Sequence, residues 1–408
     1  MQNQKLLREI EQSRDEMIEA LKTLIRLPAV GPENGGNGEL GKAEKLFEIL
    51  KKAGFDKIER YDAADSRVSS GKRPNIVAYY YGKLDAKRLW IVTHMDVVPP
   101  GEESMWTVTK PFEPLLKDSR VYGRGSEDNG QSLISSVFAV KALRRVNIKP
   151  KRTVALAFVA DEEHGSTLGI QHLIGKGLFG KDDLVVVPDH GNEDGSFIEI
   201  AEKSVLWFRI RTLGKQVHAS LPNKGLNAHR VGMQVALALD KMLHKKHSIR
   251  DDVFDVPEST FEPTKKDKNV DAVNIIPGED AVYFDCRILP IYNVDEALLE
   301  VTRVIARFEK RTGATIELEV LQKQVAPELK DGNSEIVGLL KRALKESRGL
   351  DARVGGIGGG TCAAFFRQAG IPAVAWSTVD EVAHQPNEYS IVENMVNDAK
   401  IFALLAVI

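Results

Sequence analysis

Three adjacent acids, Asp161, Glu162 and Glu163, follow the apolar run TVALAFVA that begins at Thr153. An apolar run of this length predicts a strand buried on both faces, with the acids at its carboxyl end. Neighbouring carboxylates repel one another and lose hydration in a crevice, so the pattern predicts a compensating cation nearby. Taken alone, the three acids are equally consistent with a solvated loop.

Further His and carboxylate side chains stand at the ends of other predicted strands, or in a Gly-rich loop before a helix. Imidazole and carboxylate ligands without cysteine suit zinc or a related divalent metal. Each residue alone is more often structural, but five such segments in one chain favour a metal site. The segments are WIVTHMD with His94 and Asp96, GRGSEDNG with Asp128, the DEE run, VVVPDHG with Asp189, and AWSTVDEVAHQPNE with His384.

The elements around these residues predict a doubly wound α/β fold with a mostly parallel sheet. Helices and strands alternate in residues 1–203 and again in 325–408, which predicts one discontinuous catalytic domain. Between them, 204–324 contains strands and two helices that predict an inserted α+β domain. Ligands of doubly wound folds bind beyond the carboxyl ends of the strands, so this fold would gather the candidate residues.

Composition excludes several classes of partner. The 408 residues carry 56 Lys+Arg against 58 Asp+Glu, so we expect no nucleic-acid or anionic-membrane partner. No run approaches the roughly 18 apolar residues of a membrane helix, and the N-terminus does not resemble a signal peptide. Two distant cysteines, Cys286 and Cys362, support neither a disulfide framework nor a cysteine zinc site. We therefore expect a cytoplasmic protein with a small-molecule ligand.

The motifs THMDVVP, GRGSEDNG, DEEHGS and AHQPNE together resemble metallopeptidase family twenty over nearly the whole chain. These zinc exopeptidases and deacylases include acetylornithine deacetylase, succinyl-diaminopimelate desuccinylase, carnosinase and glutamate carboxypeptidase. The resemblance implies two divalent metal ions, zinc with cobalt or manganese as alternatives. Their implied ligands are His94, Asp128 and Asp189 for one ion, and Asp128, Glu163 and His384 for the other.

The resemblance also implies roles around the metals. Asp96 would orient His94, and Glu162 would be the general base that passes a proton from water to the leaving amine. Zinc lowers the pKa of bound water to about 7, which makes that transfer feasible near neutrality. The family pattern further implies a cis peptide bond between Asp128 and Asn129.

The resemblance implies that the inserted domain serves as a lid and in dimerisation, and three of its positions resemble the family's lid motifs. His218 in GKQVHASLP would donate a hydrogen bond to the developing oxyanion, often across a dimer. Asn274 and Arg287 would hold the carboxylate side of the substrate. Without the resemblance, His218 is a surface or core histidine and Arg287 a structural strand-edge residue. The family's Gly-rich turn, which lines the substrate site, corresponds here to Gly359, Gly360 and Thr361.

The same glycine-rich stretch, GGIGGGTCA, also matches a dinucleotide-binding fingerprint. Too little chain follows it for a dinucleotide-binding fold, so this alternative is disfavoured. Cys362 stands where the family often has Asp, which leaves its contact with substrate open.

These observations predict a homodimeric hydrolase that cleaves the amide bond of a small carboxylate-bearing substrate with water activated by two metals. Asp at position 189 resembles the dipeptidase branch, so a dipeptide substrate is favoured over an N-acyl amino acid. An N-acyl amino acid deacylase is the alternative. A catalytically inactive amino-acid-binding or scaffold protein is disfavoured because no ligand or base is missing.

Overall fold

The computed structural model describes residues 2–327 and 334–408. The described residues form two compact units, one within 1–200, 331–354 and 361–408 and one within 201–330 and 355–360. The α-helices are α1 (Gln2–Gln12), α2 (Arg14–Ile25), α3 (Leu40–Ala53), α4 (Ser132–Arg145), α5 (Ile170–Gly175), α6 (Ala228–Lys246), α7 (Val294–Thr312), α8 (Glu335–Arg348), α9 (Ala363–Gln368) and α10 (Val392–Val407). The strands are β1 (Lys57–Arg60), β2 (Ala63–Ala64), β3 (Lys72–Arg73), β4 (Ile76–Tyr80), β5 (Leu84–His94), β6 (Leu115–Lys117), β7 (Arg120–Tyr122), β8 (Arg152–Val159), β9 (Leu184–Asn192), β10 (Phe197–Glu202), β11 (Ser204–Leu213), β12 (Val217–His218), β13 (Thr260–Lys266), β14 (Ile275–Ile276), β15 (Glu279–Ile288), β16 (Thr315–Gln324), β17 (Arg353–Ile357), β18 (Ala373–Thr378) and β19 (Tyr389–Ile391).

An eight-stranded sheet in the order β1-β4-β8-β5-β9-β18-β10-β17 organises the first unit. Its four central strands, β8, β5, β9 and β18, are parallel to one another. The pairs β1–β4, β4–β8 and β10–β18 are antiparallel. In β8 every residue after Arg152 is buried, as expected for a strand covered on both faces. The predicted α/β class, with a doubly wound and mostly parallel central sheet, is confirmed.

The second unit contains a four-stranded antiparallel sheet in the order β13-β15-β11-β16. Along β11, buried residues such as Phe208 and Ile210 alternate with more exposed ones such as Trp207 and Arg209. Such alternation places one face of the sheet on a core. Helices α6 and α7 contribute Val235 and Val301 to the same core, so both helices cover that one face.

The N-terminal helical segment is interrupted, although its sequence pattern predicts one helix over about residues 7–27. The interruption falls at Ser13, between α1 and α2. The Ser13 hydroxyl donates to the Glu9 carbonyl at 2.9 Å, a local bond that competes with regular helix geometry. Within the described ranges, no helix is both long enough and apolar enough to cross a membrane.

Candidate metal centre

All the candidate ligands except Asp128 lie near the carboxyl ends of the four central parallel strands of the first unit. His94 ends β5, and its register partner Val159 ends β8, just before the three acids. Asp189 lies within β9, which extends further than the sequence predicts. His384 follows β18, and Asp128 precedes α4. Parallel strands end at one edge of a sheet, so the topology converges the side chains as expected.

One group of ligand atoms is centred on His94. Its Nε2 atom lies 2.8 Å from Asp128 Oδ1 and 3.3 Å from Asp189 Oδ1. Its Nδ1 atom donates to the Asp96 backbone carbonyl at 3.0 Å. Because a carbonyl only accepts, this bond assigns the proton to Nδ1 and presents Nε2 as the ligand atom.

A second group is centred on His384. Its Nε2 atom lies 2.9 Å from Asp128 Oδ2 and 3.2 Å from Glu163 Oε2. Asp128 thus turns one carboxylate oxygen toward His94 and the other toward His384. This arrangement suits a carboxylate shared between two cations.

These donor sets fit divalent metal ions. Ligand atoms of His94, Asp128 and Glu163 all lie within 4.8 Å of one another, as do those of His94, Glu162 and Asp189. Glu163 Oε1 is buried and has no hydrogen-bond partner, which is costly unless a cation satisfies it. Glu162 belongs to the second of these groups, so it too lies within ligand range. The geometry is compatible with Glu162 as a metal ligand or as the general base.

A tight turn gives Glu162 and Glu163 their different directions. Asp161 has a left-handed backbone with φ of 62°, and Glu162–His164 form a single helical turn. The Asp96 carboxylate accepts from the backbone N–H groups of Glu162 at 3.1 Å and Glu163 at 3.0 Å. Asp96 Oδ1 is 3.5 Å from His94 Nδ1, so its side chain holds the turn more closely than it holds the histidine.

The pKa values of the site residues are shifted because several carboxylates are buried close together. Burial raises the pKa of Glu162 well above its usual value, and the charge of Asp189 raises it further. Burial, together with the charge of Asp128, raises the pKa of Glu163 to about 7. Hydrogen bonds to Asp128 and Glu163 raise the pKa of His384 to about 10. All three pKa shifts favour binding of a proton, because the buried carboxylates are stabilised by positive charge. A bound metal ion would supply that charge.

Two buried acids that the sequence interpretation left unassigned hold the backbone around the ligands. Glu388 accepts from the N–H groups of Gly125, Glu127 and Asp128 at 3.0, 3.0 and 3.1 Å. In return, Glu127 accepts from three N–H groups of the loop that leads to His384. These belong to Asp380 at 2.7 Å, Val382 at 2.7 Å and Ala383 at 3.0 Å. We call this reciprocal pair the Glu127–Glu388 clamp.

The peptide bond Asp128–Asn129 is cis, as predicted.

A buried ion pair supports the turn of the three acids from the other side. Arg73 and Glu39 are almost fully buried and make a two-pronged contact, with Arg73 Nε 2.7 Å from Glu39 Oε2. The same guanidinium lies 3.6 Å from the carboxylate of Asp161. Neither Glu39 nor Arg73 stands in a recognisable motif, so only the structure associates them with the centre.

Cys362 also contacts the candidate base. Its Sγ atom lies 3.8 Å from Glu162 Oε1 and 3.4 Å from Ser166 Oγ. Burial raises the pKa of the thiol well above its usual value. Cys362 is therefore a neutral neighbour of Glu162. Next to it, the hydroxyl of buried Thr361 accepts from the Ala363 N–H at 3.1 Å, at the start of α9.

The second unit contains the remaining predicted residues. His218 is exposed, and its strand pairs with β14, directly after Asn274, whose carbonyl accepts from Ala219 N–H at 2.8 Å. Arg287 directs two nitrogens to Asp285, at 2.6 and 2.8 Å, and a third to the Gly358 carbonyl at 3.0 Å. Its guanidinium is thus already bound within the unit. Gly359 and Gly360 also belong to this unit, while Thr361 belongs to the first.

Sequence comparison agrees with this geometry. The profile of Peptidase family M20/M25/M40 matches residues 90–407. The chain belongs to this family. It is 40% identical, over 95% of its length and 98% of the relative, to an uncharacterized metallohydrolase of Methanocaldococcus jannaschii. It is 26% identical to a succinyl-diaminopimelate desuccinylase of Nitratiruptor sp., over 91% of this chain and 94% of the relative.

Comparison with solved structures supports the same fold. Human carnosine dipeptidase 1 matches with a TM-score of 0.74 and 18% identity, covering 100% of this chain and 98% of that one. The family match makes the chain an M20-type metallohydrolase, and the comparison of structures adds the shared fold. The predicted family is confirmed.

Proposed function

We propose that this chain is a binuclear metal-dependent exopeptidase that cleaves the amide bond of a small carboxylate-bearing substrate, with dipeptides as the preferred class. The observation that carries the proposal is the division of Asp128 between His94 at 2.8 Å and His384 at 2.9 Å. With Asp189 and Glu163 this gives two three-residue ligand sets that share one carboxylate. Zinc is the expected metal, with cobalt or manganese as alternatives.

When bound, divalent ions polarise the scissile carbonyl and lower the pKa of water. Glu162 accepts the proton of the attacking water and returns it to the leaving amine. The hold of Asp96 on the N–H groups of Glu162 and Glu163 orients the base. A complete set of ligands and base does not favour an inactive binding or scaffold protein.

His218 is suited to donate to an oxyanion. Its Nδ1 atom accepts from the Ser220 backbone N–H at 3.2 Å, so the neutral ring carries its proton on Nε2. We propose that this N–H acts across a homodimer formed through the second unit, and that Asn274 and Arg287 bind the substrate carboxylate with Gly359, Gly360 and Thr361. For Arg287 this role requires its contact with Asp285 to rearrange. The two free cysteines support a cytoplasmic location.

An N-acyl amino acid deacylase is the second candidate, and the relatives named succinyl-diaminopimelate desuccinylase favour it. Asp189 and the fold shared with carnosine dipeptidase 1 favour the dipeptidase. Metal-loaded protein should therefore be incubated with matched dipeptides and N-acetyl or N-succinyl amino acids. Faster cleavage of dipeptides, abolished by a chelator, is expected. Preference for the acylated set would overturn the dipeptide assignment.

A further inference from the structure

A groove of about 1080 Å³ runs between α6 and α7 on the surface of the second unit. The two helices are antiparallel. Gln234 Oε1 on α6 accepts from Arg311 Nη2 near the end of α7 at 3.2 Å, and Lys246 at the end of α6 pairs with Glu300 on α7 at 2.8 Å. These two bonds cross between the helices near the ends of the groove, about 18 Å apart at the rise of an α-helix. None of the residues that line the groove is assigned to catalysis or substrate binding.

The floor of the groove is apolar. Met242 and Phe308 are half-buried and pack against the core of the second unit, as does Ala238, and Val304 belongs to that core. On each helix the two apolar side chains are four residues apart, so they form one row along the helix surface. A ligand that reaches this floor would therefore bury apolar surface.

The rim of the groove is strongly basic. Its exposed side chains include six bases, Lys241, Lys245, Lys246, Arg303, Arg307 and Arg311. Glu300, the single acid in the lining, already pairs with Lys246 at 2.8 Å and with Arg303 at 2.7 Å. In the part of the chain that the structure describes, no carboxylate pairs with the other four bases.

Acids close to these bases in the chain make their contacts elsewhere. Asp240 pairs with His244 at 3.2 Å, and Glu309 accepts from the Ile316 backbone N–H at 2.9 Å. The groove thus concentrates positive charge on a chain whose formal net charge is -2. Uncompensated bases along both sides of a groove favour an anionic partner.

We propose that this groove binds an acidic amphipathic helix of a partner protein. The apolar face of such a helix would pack on Met242 and Phe308, and its carboxylates would lie beside the bases of the rim. A helix of about twelve residues matches the length of the groove. The interaction is separate from the metal centre and does not depend on hydrolysis.

Other polyanions fit these features less well. A nucleic acid duplex or an anionic bilayer would contact the exposed bases through phosphate groups. Neither would place apolar groups on the floor, where Met242 and Phe308 are more buried than the bases beside them. An acidic segment without apolar side chains would leave that floor uncovered.

Fluorescence anisotropy with a labelled peptide of about twelve residues tests the proposal, with Leu at every third or fourth position and Glu at most others. Wild type should bind it saturably, and more weakly as the salt concentration rises. The double variant Lys241→Glu/Arg307→Glu should weaken binding by roughly 10-fold or more, because each change replaces attraction by repulsion. Lys149→Glu/Lys310→Glu is the matched control, since it makes the same charge change at exposed positions outside the groove. Its effect should stay within about 2-fold.

A second peptide with Ser in place of each Leu tests the apolar floor, and it should bind wild type at least about 10-fold more weakly. Absence of saturable binding by the Leu peptide, equal binding of the two peptides, or equal losses in the two double variants would overturn the proposal. Tighter binding of a DNA duplex or of phosphatidylserine vesicles, lost in Lys241→Glu/Arg307→Glu, would also overturn it. A change of oligomeric state in that variant alone, measured by gel filtration, would instead make the groove an interface between copies of this chain.

Discussion

Glu162 and Glu163 are neighbours in the chain, but we assign them different chemistry. Glu163 Oε2 lies 3.2 Å from His384 Nε2, and its other oxygen is buried without a partner. Glu163→Gln should therefore bind only one metal ion. Glu162→Gln should bind two ions but lose about 10² to 10⁴ in kcat, the usual effect of removing a general base. Elemental analysis combined with kcat measures both effects.

The structure makes this a demanding test because Glu162 also lies within ligand range of His94 and Asp189. Metal loss in Glu162→Gln, with two ions retained in Glu163→Gln, would exchange the two roles. Exposed Glu113→Gln serves as the control for handling and metal loading.

At the scale of single residues, the sequence predicts which residues carry the chemistry better than it predicts which contacts they make. His94, Asp128 and Asp189 converge as their motifs indicate. Asp96, by contrast, chiefly holds two backbone N–H groups, and this could not be foreseen because it depends on the left-handed backbone of Asp161. A hydrogen bond between a side chain and a backbone N–H requires a particular residue type only on the side-chain partner. Such a bond therefore leaves little pattern in a sequence.

Among the secondary-structure elements, the Glu127–Glu388 clamp joins the segment before α4 to the loop after β18. Replacing Glu127 by Gln removes one acceptor oxygen and faces an N–H donor toward the backbone donors of that loop. The loop should then hold His384 less firmly. We expect the affinity for one of the two metal ions to fall about 10- to 100-fold, as for other residues that orient ligands. Competition with a fluorescent chelator measures it.

An effect on both ions alike, or none, would contradict this function of the clamp. Circular dichroism should show an unchanged secondary structure, since the contacts lie outside the numbered helices and strands. The clamp also shows why the sequence could not assign these acids. Glu127 and its partner Ala383 are separated by 256 positions, and those positions include the entire second unit.

A second element-scale prediction concerns Asp398, which joins α10 to β18. It accepts from the Thr378 N–H at 3.1 Å and hydroxyl at 2.7 Å, and burial raises its pKa to about 6. A pKa above the unfolded value means that the native state binds the proton more tightly. The stabilising effect is therefore present below about pH 4 and is lost as the pH rises through 6.

Between pH 4 and pH 7 the free energy of unfolding should fall by roughly 2 kcal/mol more in wild type than in Asp398→Asn. Urea titrations of both proteins with a chelator present exclude a contribution from metal binding. Equal changes in the two proteins would show that Asp398 does not titrate in this range.

For the whole molecule, the central prediction is a homodimer in which His218 acts on the partner's site. His218→Ala and Glu162→Ala chains, once mixed, should form dimers in which one site has both groups and the other has neither. Random pairing makes about half the dimers mixed, so activity should recover to roughly a quarter of wild type. Activity no higher than that of the separate variants, in verified mixed dimers, would exclude action across the dimer.

The sequence predicts two units of different architecture because one alternates helices with buried strands and the other contains amphipathic strands. The sequence does not predict that Gly355–Gly360 belongs to the second unit. That return depends on single contacts, such as the Lys203 N–H donating to the Ile357 carbonyl at 3.0 Å. Glycine-rich composition alone is compatible with either unit.

The order of the ligands along the chain has a consequence for biosynthesis. His94, Asp128 and Asp189 all precede the second unit, whereas His384 follows it. Translation proceeds from the N-terminus, so a nascent chain contains all three residues of one proposed ligand set before His384 of the other has been made. We expect the two proposed metal sites to form one after the other, with the proposed hydrolysis beginning only after the segment that carries His384 has been released and folded.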